Sequence, residues 1–159
     1  REWRRLLADA TDAESRGRFH RRLVEGVYSE GFQARVGKAL AARQAEVAAM
    51  SESWWAGLLG VFDAVAPVDL RPHLAAVRAP TLVVIASDDR MIPGERSRAV
   101  AAGIAGAETR THETSGHALV AEDPAWLAEV ALDFLARHSG PRQAPMGREG
   151  AAASDPTSG

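Results

Sequence analysis

Residues 80–93 read Pro80-Thr81-Leu82-Val83-Val84-Ile85-Ala86-Ser87-Asp88-Asp89-Arg90-Met91-Ile92-Pro93, and the first half of this stretch decides the fold. A continuous apolar, largely β-branched run from Thr81 to Ile85, closed by Pro80 on one side and by Ser87, Asp88 and Asp89 on the other, fits a parallel strand covered on both faces. Such a strand requires helices around it. One is predicted directly afterwards, over about 94–104, with Pro93 and Gly94 at its entrance and Gly103 and Gly106 near its exit. Strand, loop and helix in this order make an α/β unit.

Reading outward toward the C-terminus, residues 107–114 place threonines at alternate positions without a large apolar residue, which predicts a modestly buried edge strand. From Pro124 to His138 the apolar residues Trp126, Leu127, Val130, Ala131, Phe134 and Leu135 recur at helical spacing, with Arg137 and His138 in the last turn. Residues 139–159 are dominated by Gly, Pro, Ala and Ser without periodicity and are expected to be a disordered tail.

Toward the N-terminus, Pro67 breaks a helical run, and residues 69–77 permit a short helix. Residues 1–66 form a helical half, with Phe19, Leu23 and Val27, then Phe32, Val36 and Leu40, at helical spacing. Trp54, Trp55, Leu58, Leu59, Phe62 and Val65 give a wide apolar face, with Ser51 or Ser53 as N-cap and Glu52 in the first turn. The tryptophan pair fits core packing first and an apolar pocket lining second. Arg1, Arg4, Arg5, Arg16, Arg18, Arg21 and Arg22 alternate with Glu2, Asp9, Asp12 and Glu14, which predicts a solvated helix face rather than a nucleic-acid patch.

With 159 residues, 46% hydrophobic and 25% charged, the chain has the composition of a soluble globular protein, and no apolar run reaches the roughly 20 residues of a membrane span. A net charge of −2 gives no general attraction to phosphate. The absence of cysteine excludes disulfides, thiolate metal sites and cysteine nucleophiles. No targeting signal is visible, a cytoplasmic location is expected, and the start at Arg1 reads as a cut.

Two loops follow the two expected strands, and catalytic groups gather at the carboxyl ends of the strands in an open parallel sheet. The first loop holds Asp88 and Asp89. The second, Ser115-Gly116-His117-Ala118-Leu119-Val120-Ala121-Glu122-Asp123-Pro124, holds His117. A carboxylate beside an imidazole can take the proton of one ring nitrogen and leave the other as a general base. Ser115 shares the histidine's own loop and is expected to bond backbone or solvent. His112-Glu113 with His117 does not have the spacing of a helical zinc motif, so no metal site is expected.

Ala79-Pro80-Thr81-Leu82-Val83-Val84-Ile85, then Asp89 with Pro93, then Gly116-His117, then Glu122-Asp123-Pro124, occur in an order and at separations that resemble the α/β-hydrolase family. The resemblance covers about half the chain. It implies that residues 67–138 are the C-terminal part of an α/β-hydrolase sheet, about two strands with flanking helices, preceded by a helical cap or lid over residues 1–66 that opens near Val27-Tyr28-Ser29. It further implies Asp89 as catalytic acid, favoured over Asp88 by its distance to Pro93, and His117 as catalytic base.

The family's chain order is nucleophile, acid, histidine, and its nucleophile sits in a Gly-x-Ser-x-Gly elbow. No such motif occurs in this sequence, and Ser29 has its glycines at the wrong spacing. The resemblance, which lies toward the enol-lactonase and esterase branch of the family, therefore implies a parent enzyme hydrolysing carboxylic esters or lactones by a Ser-His-Asp mechanism, with the serine upstream of Arg1 and this chain inactive by itself. A dehalogenase, epoxide hydrolase or cofactor-free haloperoxidase of the same fold, or a non-catalytic module gripping a partner through Trp54 and Trp55, are the alternatives. No cofactor, nucleic acid or membrane partner is expected. A small-molecule substrate is, and so is self-association of the isolated chain.

Overall fold

The computed structural model describes residues 2–139. Four helices come first: α1 (Glu2–Ala8), α2 (Ala13–Val27), α3 (Glu30–Ala48) and α4 (Glu52–Val65). Each of the last three begins on a side chain that satisfies a free helix amide. Asp12 Oδ1 accepts from Ser15 N–H at 2.8 Å while Ser15 Oγ accepts from Asp12 N–H at 3.0 Å, a reciprocal capping box. Ser29 caps α3 through Phe32 N–H, and Ser51, not Ser53, caps α4 through Trp54 N–H.

Leu7, Ala10, Phe19, Val47 and Trp55 close into one buried cluster between these helices. Phe19 and Trp55 meet edge to face with ring centroids 5.8 Å apart. The tryptophan pair splits: Trp55 is buried, whereas Trp54 stands 40% exposed beside it. The solvated arginine face holds for Arg18 and Arg22, which pair with Glu14 and Glu25, but not for Arg16. That guanidinium is buried, lies 5.2 Å over the Trp55 ring and donates to both oxygens of Glu52. Its aliphatic stem and flat head let a cation complete an apolar cluster, which sign-counting along the chain does not reveal.

After α4 the chain makes a 3-10 turn over Arg71–Ala76, tighter than the short helix expected there, with Pro72 in its first turn. Then come β1 (Leu82–Ala86), α5 (Gly94–Gly103), β2 (Glu108–His112), the four-residue α6 (Leu119–Glu122) and α7 (Pro124–His138). β1 and β2 are parallel, in register from Leu82 opposite Glu108 to Ala86 opposite His112. Gly106, at φ 75°, turns the chain from α5 into β2 in a conformation that side chains resist. Buried apolar side chains here are Ile85, Ile104, Leu119 and Phe134, one from each layer or connection. The tail expected from 139 onward falls outside the described residues except for Ser139, the C-cap of α7.

Among the described residues no helix is long and apolar enough to cross a membrane.

Candidate active site

The β1–β2 ladder continues past the ends of both strands. Ser87 N–H donates to His112 O at 2.9 Å, and Asp88 N–H donates to Ser115 O at 3.0 Å. These two bonds hold the loop after β1 against the loop after β2, so an acid and a histidine from separate segments come within reach.

His117 Nδ1 lies 2.9 Å from Asp89 Oδ2. The other carboxylate oxygen, Asp89 Oδ1, accepts backbone N–H groups from Met91 at 2.9 Å and Ile92 at 2.7 Å. The carboxylate is therefore aimed by its own loop before the imidazole meets it, and its side chain is only 12% exposed. With Nδ1–H donated to Asp89, His117 presents Nε2 as the free basic nitrogen, and at 37% exposure the ring remains open to a reactant. Asp88 has a different set of partners: its carboxylate pairs with Arg90 at 3.1 Å, and Arg90 reaches on to Glu30 at 2.9 Å.

The remaining polar residues of the histidine loop form a support layer. Ser115 N–H donates to His112 Nδ1 at 3.1 Å, which puts the His112 ring proton on Nε2, 3.3 Å from Asp123 Oδ2. Trp126 N–H, capped by Asp123 at the start of α7, and then His112 hold the Asp123 carboxyl below its ordinary range. The His112 ring stands edge-on to Trp126 at 4.8 Å. Ser115 Oγ is fully buried and has no hydrogen-bond partner among the described residues, so the hydroxyl makes no backbone bond; the residue is tied in by its N–H and C=O instead. Ser29, set aside on spacing, is 5% exposed and occupied as a helix cap that also donates to Glu122.

Sequence reading placed Asp89 and His117 on adjacent loops but gave no role to His112 or Glu122. His112 carries no motif of its own, and Glu122 entered only as the first residue of the Glu122-Asp123-Pro124 motif. A hint lay in their positions, one closing β2 and the other directly preceding the Asp123-Pro124 helix start.

No protein-family model matches the chain. Over 69 residues it is 36% identical to the 2-hydroxy-6-oxononadienedioate/2-hydroxy-6-oxononatrienedioate hydrolase of Klebsiella pneumoniae, a match taking in 43% of this chain and 24% of that one. Among solved structures, it is similar to MGS-M2, an alpha/beta hydrolase enzyme from a Medee basin deep-sea metagenome library, with a TM-score of 0.74 at 15% identity over 91% of this chain and 51% of that one. The enol-lactonase from Burkholderia xenovorans LB400 matches with a TM-score of 0.70 at 22% identity, over 84% of this chain and 50% of that one. The chain has the α/β-hydrolase fold. It spans about half the length of those two structures and about a quarter of the curated relative. In α/β-hydrolase terms it corresponds to the C-terminal part of the sheet, β1 and β2 with their flanking helices, preceded by a helical region.

Proposed function

We propose that Asp89 and His117 are the acid and the general base of a hydrolase acting on carboxylic esters or lactones, with a serine nucleophile that this sequence does not contain. The observation that carries the reading is the 2.9 Å contact of His117 Nδ1 with an Asp89 carboxylate whose second oxygen is already fixed by two backbone amides. That the Klebsiella relative is a hydrolase and the Burkholderia protein an enol-lactonase supports the chemistry. The helical region over residues 1–66 acts as the cap over a small-molecule substrate.

His117 Nε2 takes the proton of the attacking serine hydroxyl and returns it to the leaving oxygen. Asp89 keeps the ring in the Nδ1–H tautomer and stabilises the imidazolium that forms in between. Water then releases the acyl group by the same proton route. The test is the full-length protein assayed with short-chain esters and lactones. H117A and D89N are each expected to lower kcat by about 10⁴-fold with little change in KM, and D88N to stay near wild type. Full activity in H117A would sink the reading.

A further inference from the structure

Three donors from two distant parts of the chain converge on one carboxylate. Glu122, the last residue of α6, accepts at Oε1 from Ser29 N–H at 2.9 Å and from Gly116 N–H at 3.1 Å, and at Oε2 from Ser29 Oγ–H at 2.5 Å. Gly116 directly precedes His117. On its other side Ala118 N–H donates to Val27 O at 3.0 Å. Both backbone neighbours of the histidine are thus fastened to the α2–α3 junction.

There is no slack in this arrangement. A Cβ on Gly116 would lie 2.7 Å from Ser29 N, 2.8 Å from Val27 O and 2.9 Å from Glu122 Oε1, two of them backbone atoms that cannot swing away. The choice of an acid also follows from the donors. Ser29 Oγ already accepts from Phe32 N–H, so its proton must go elsewhere, and only an acceptor-only carboxylate takes it together with both amides. An amide side chain would turn its NH₂ toward at least one of these groups.

We propose that Glu122 is a positioning residue that fixes the backbone carrying His117 and makes the α2–α3 junction part of the same unit, so that the aim of His117 at Asp89 depends on the helical region. This rests on the reading of Asp89 and His117 as an acid–base pair. Glu122 touches no reacting atom; it acts through Gly116 and Ser29.

The test is ¹⁵N-histidine NMR of the whole chain, reading the tautomer of His117 and the lifetime of its Nδ1 proton in wild type, E122A, E122Q, D89N and D12A. D12A removes a helix cap on α2 and serves as the control for general loosening. In E122A the Nδ1 proton of His117 is expected to exchange at least tenfold faster and the tautomers to mix, in E122Q to recover part of the way, and in D12A to remain as in wild type. An E122A spectrum identical to wild type overturns the proposal, and so does an equal loss in D12A. If E122A does not fold, the E122Q comparison decides on the same criteria. D89N tests the underlying pair separately: an unchanged His117 tautomer in D89N overturns the acid–base reading, whatever Glu122 does.

Discussion

Asp88 and Asp89 are chemically the same residue in adjacent positions, and their surroundings give them unequal tasks. Asp89 accepts two backbone amides and the His117 ring, whereas Asp88 pairs with an exposed arginine. Removing a carboxylate that satisfies backbone donors costs about 1–2 kcal/mol, and removing one arm of an exposed pair costs about 0.5 kcal/mol or less. Denaturant unfolding should therefore rank D89A clearly below D88A, and equal midpoints would show that the acid loop does not depend on Asp89. His20 gives a second expectation at this scale. It is 7% exposed, its Nδ1 has no partner among the described residues, and burial, followed by the nearby Arg43 charge, holds its pKa below the ordinary 6.5. A depressed histidine favours its neutral form when folded. Its contribution is complete above pH 6.5 and is lost as the pH falls from there through the lower folded value, because the unfolded chain takes the proton first. The melting temperature of wild type should drop below pH 6.5 more steeply than that of H20Q, and parallel curves would exclude His20 as the source.

At the scale of the element, what the sequence made legible follows from how local each signal is. β1 could be read because five apolar residues between Pro80 and Ser87 have few other uses, and α7 because its stripe, its Pro124 start and its basic last turn agree. β2 was a weaker reading, since Glu-Thr-Arg-Thr-His buries little and is held chiefly by its ladder to β1. The four-residue α6 and the Glu122 clamp were not legible: the donors to Glu122 stand 93 and 6 residues away, and nothing near Glu122 in sequence announces Ser29. The same distinction predicts how substitutions behave. D12A removes a local cap and should lower stability by about 1 kcal/mol, leaving the β1–β2 region protected from amide exchange. G116A forces a methyl against two backbone atoms of another segment and should cost about 3 kcal/mol, with faster exchange at Ala118 and Ser29 as its signature. Loss confined to residues 115–118 would instead mean that the loop shifts without the α2–α3 junction.

At the scale of the molecule, the direction of each β1 peptide group decides what the sheet can still bind. Thr81 O accepts from Glu108 N–H and Ser87 N–H donates to His112 O, so the odd-numbered residues of this strand face β2. N–H and C=O groups alternate sides along a strand, which turns those of Leu82 and Val84 to the opposite edge, where no strand pairs with them among the described residues. An unpaired edge on an apolar strand is a template for another chain, and Val61 and Val65 of α4 add exposed apolar surface elsewhere. The chain by itself is therefore expected to self-associate. Sedimentation velocity should show an average mass that rises with concentration, and V84K, which sets a charge on the open edge and leaves the β2 ladder intact, should shift the association midpoint upward by about tenfold. A wild-type chain that stays monomeric across that range, with slow exchange at the Leu82 and Val84 amides, would mean that the edge is already covered, and the two-strand sheet would then have to be complete in itself.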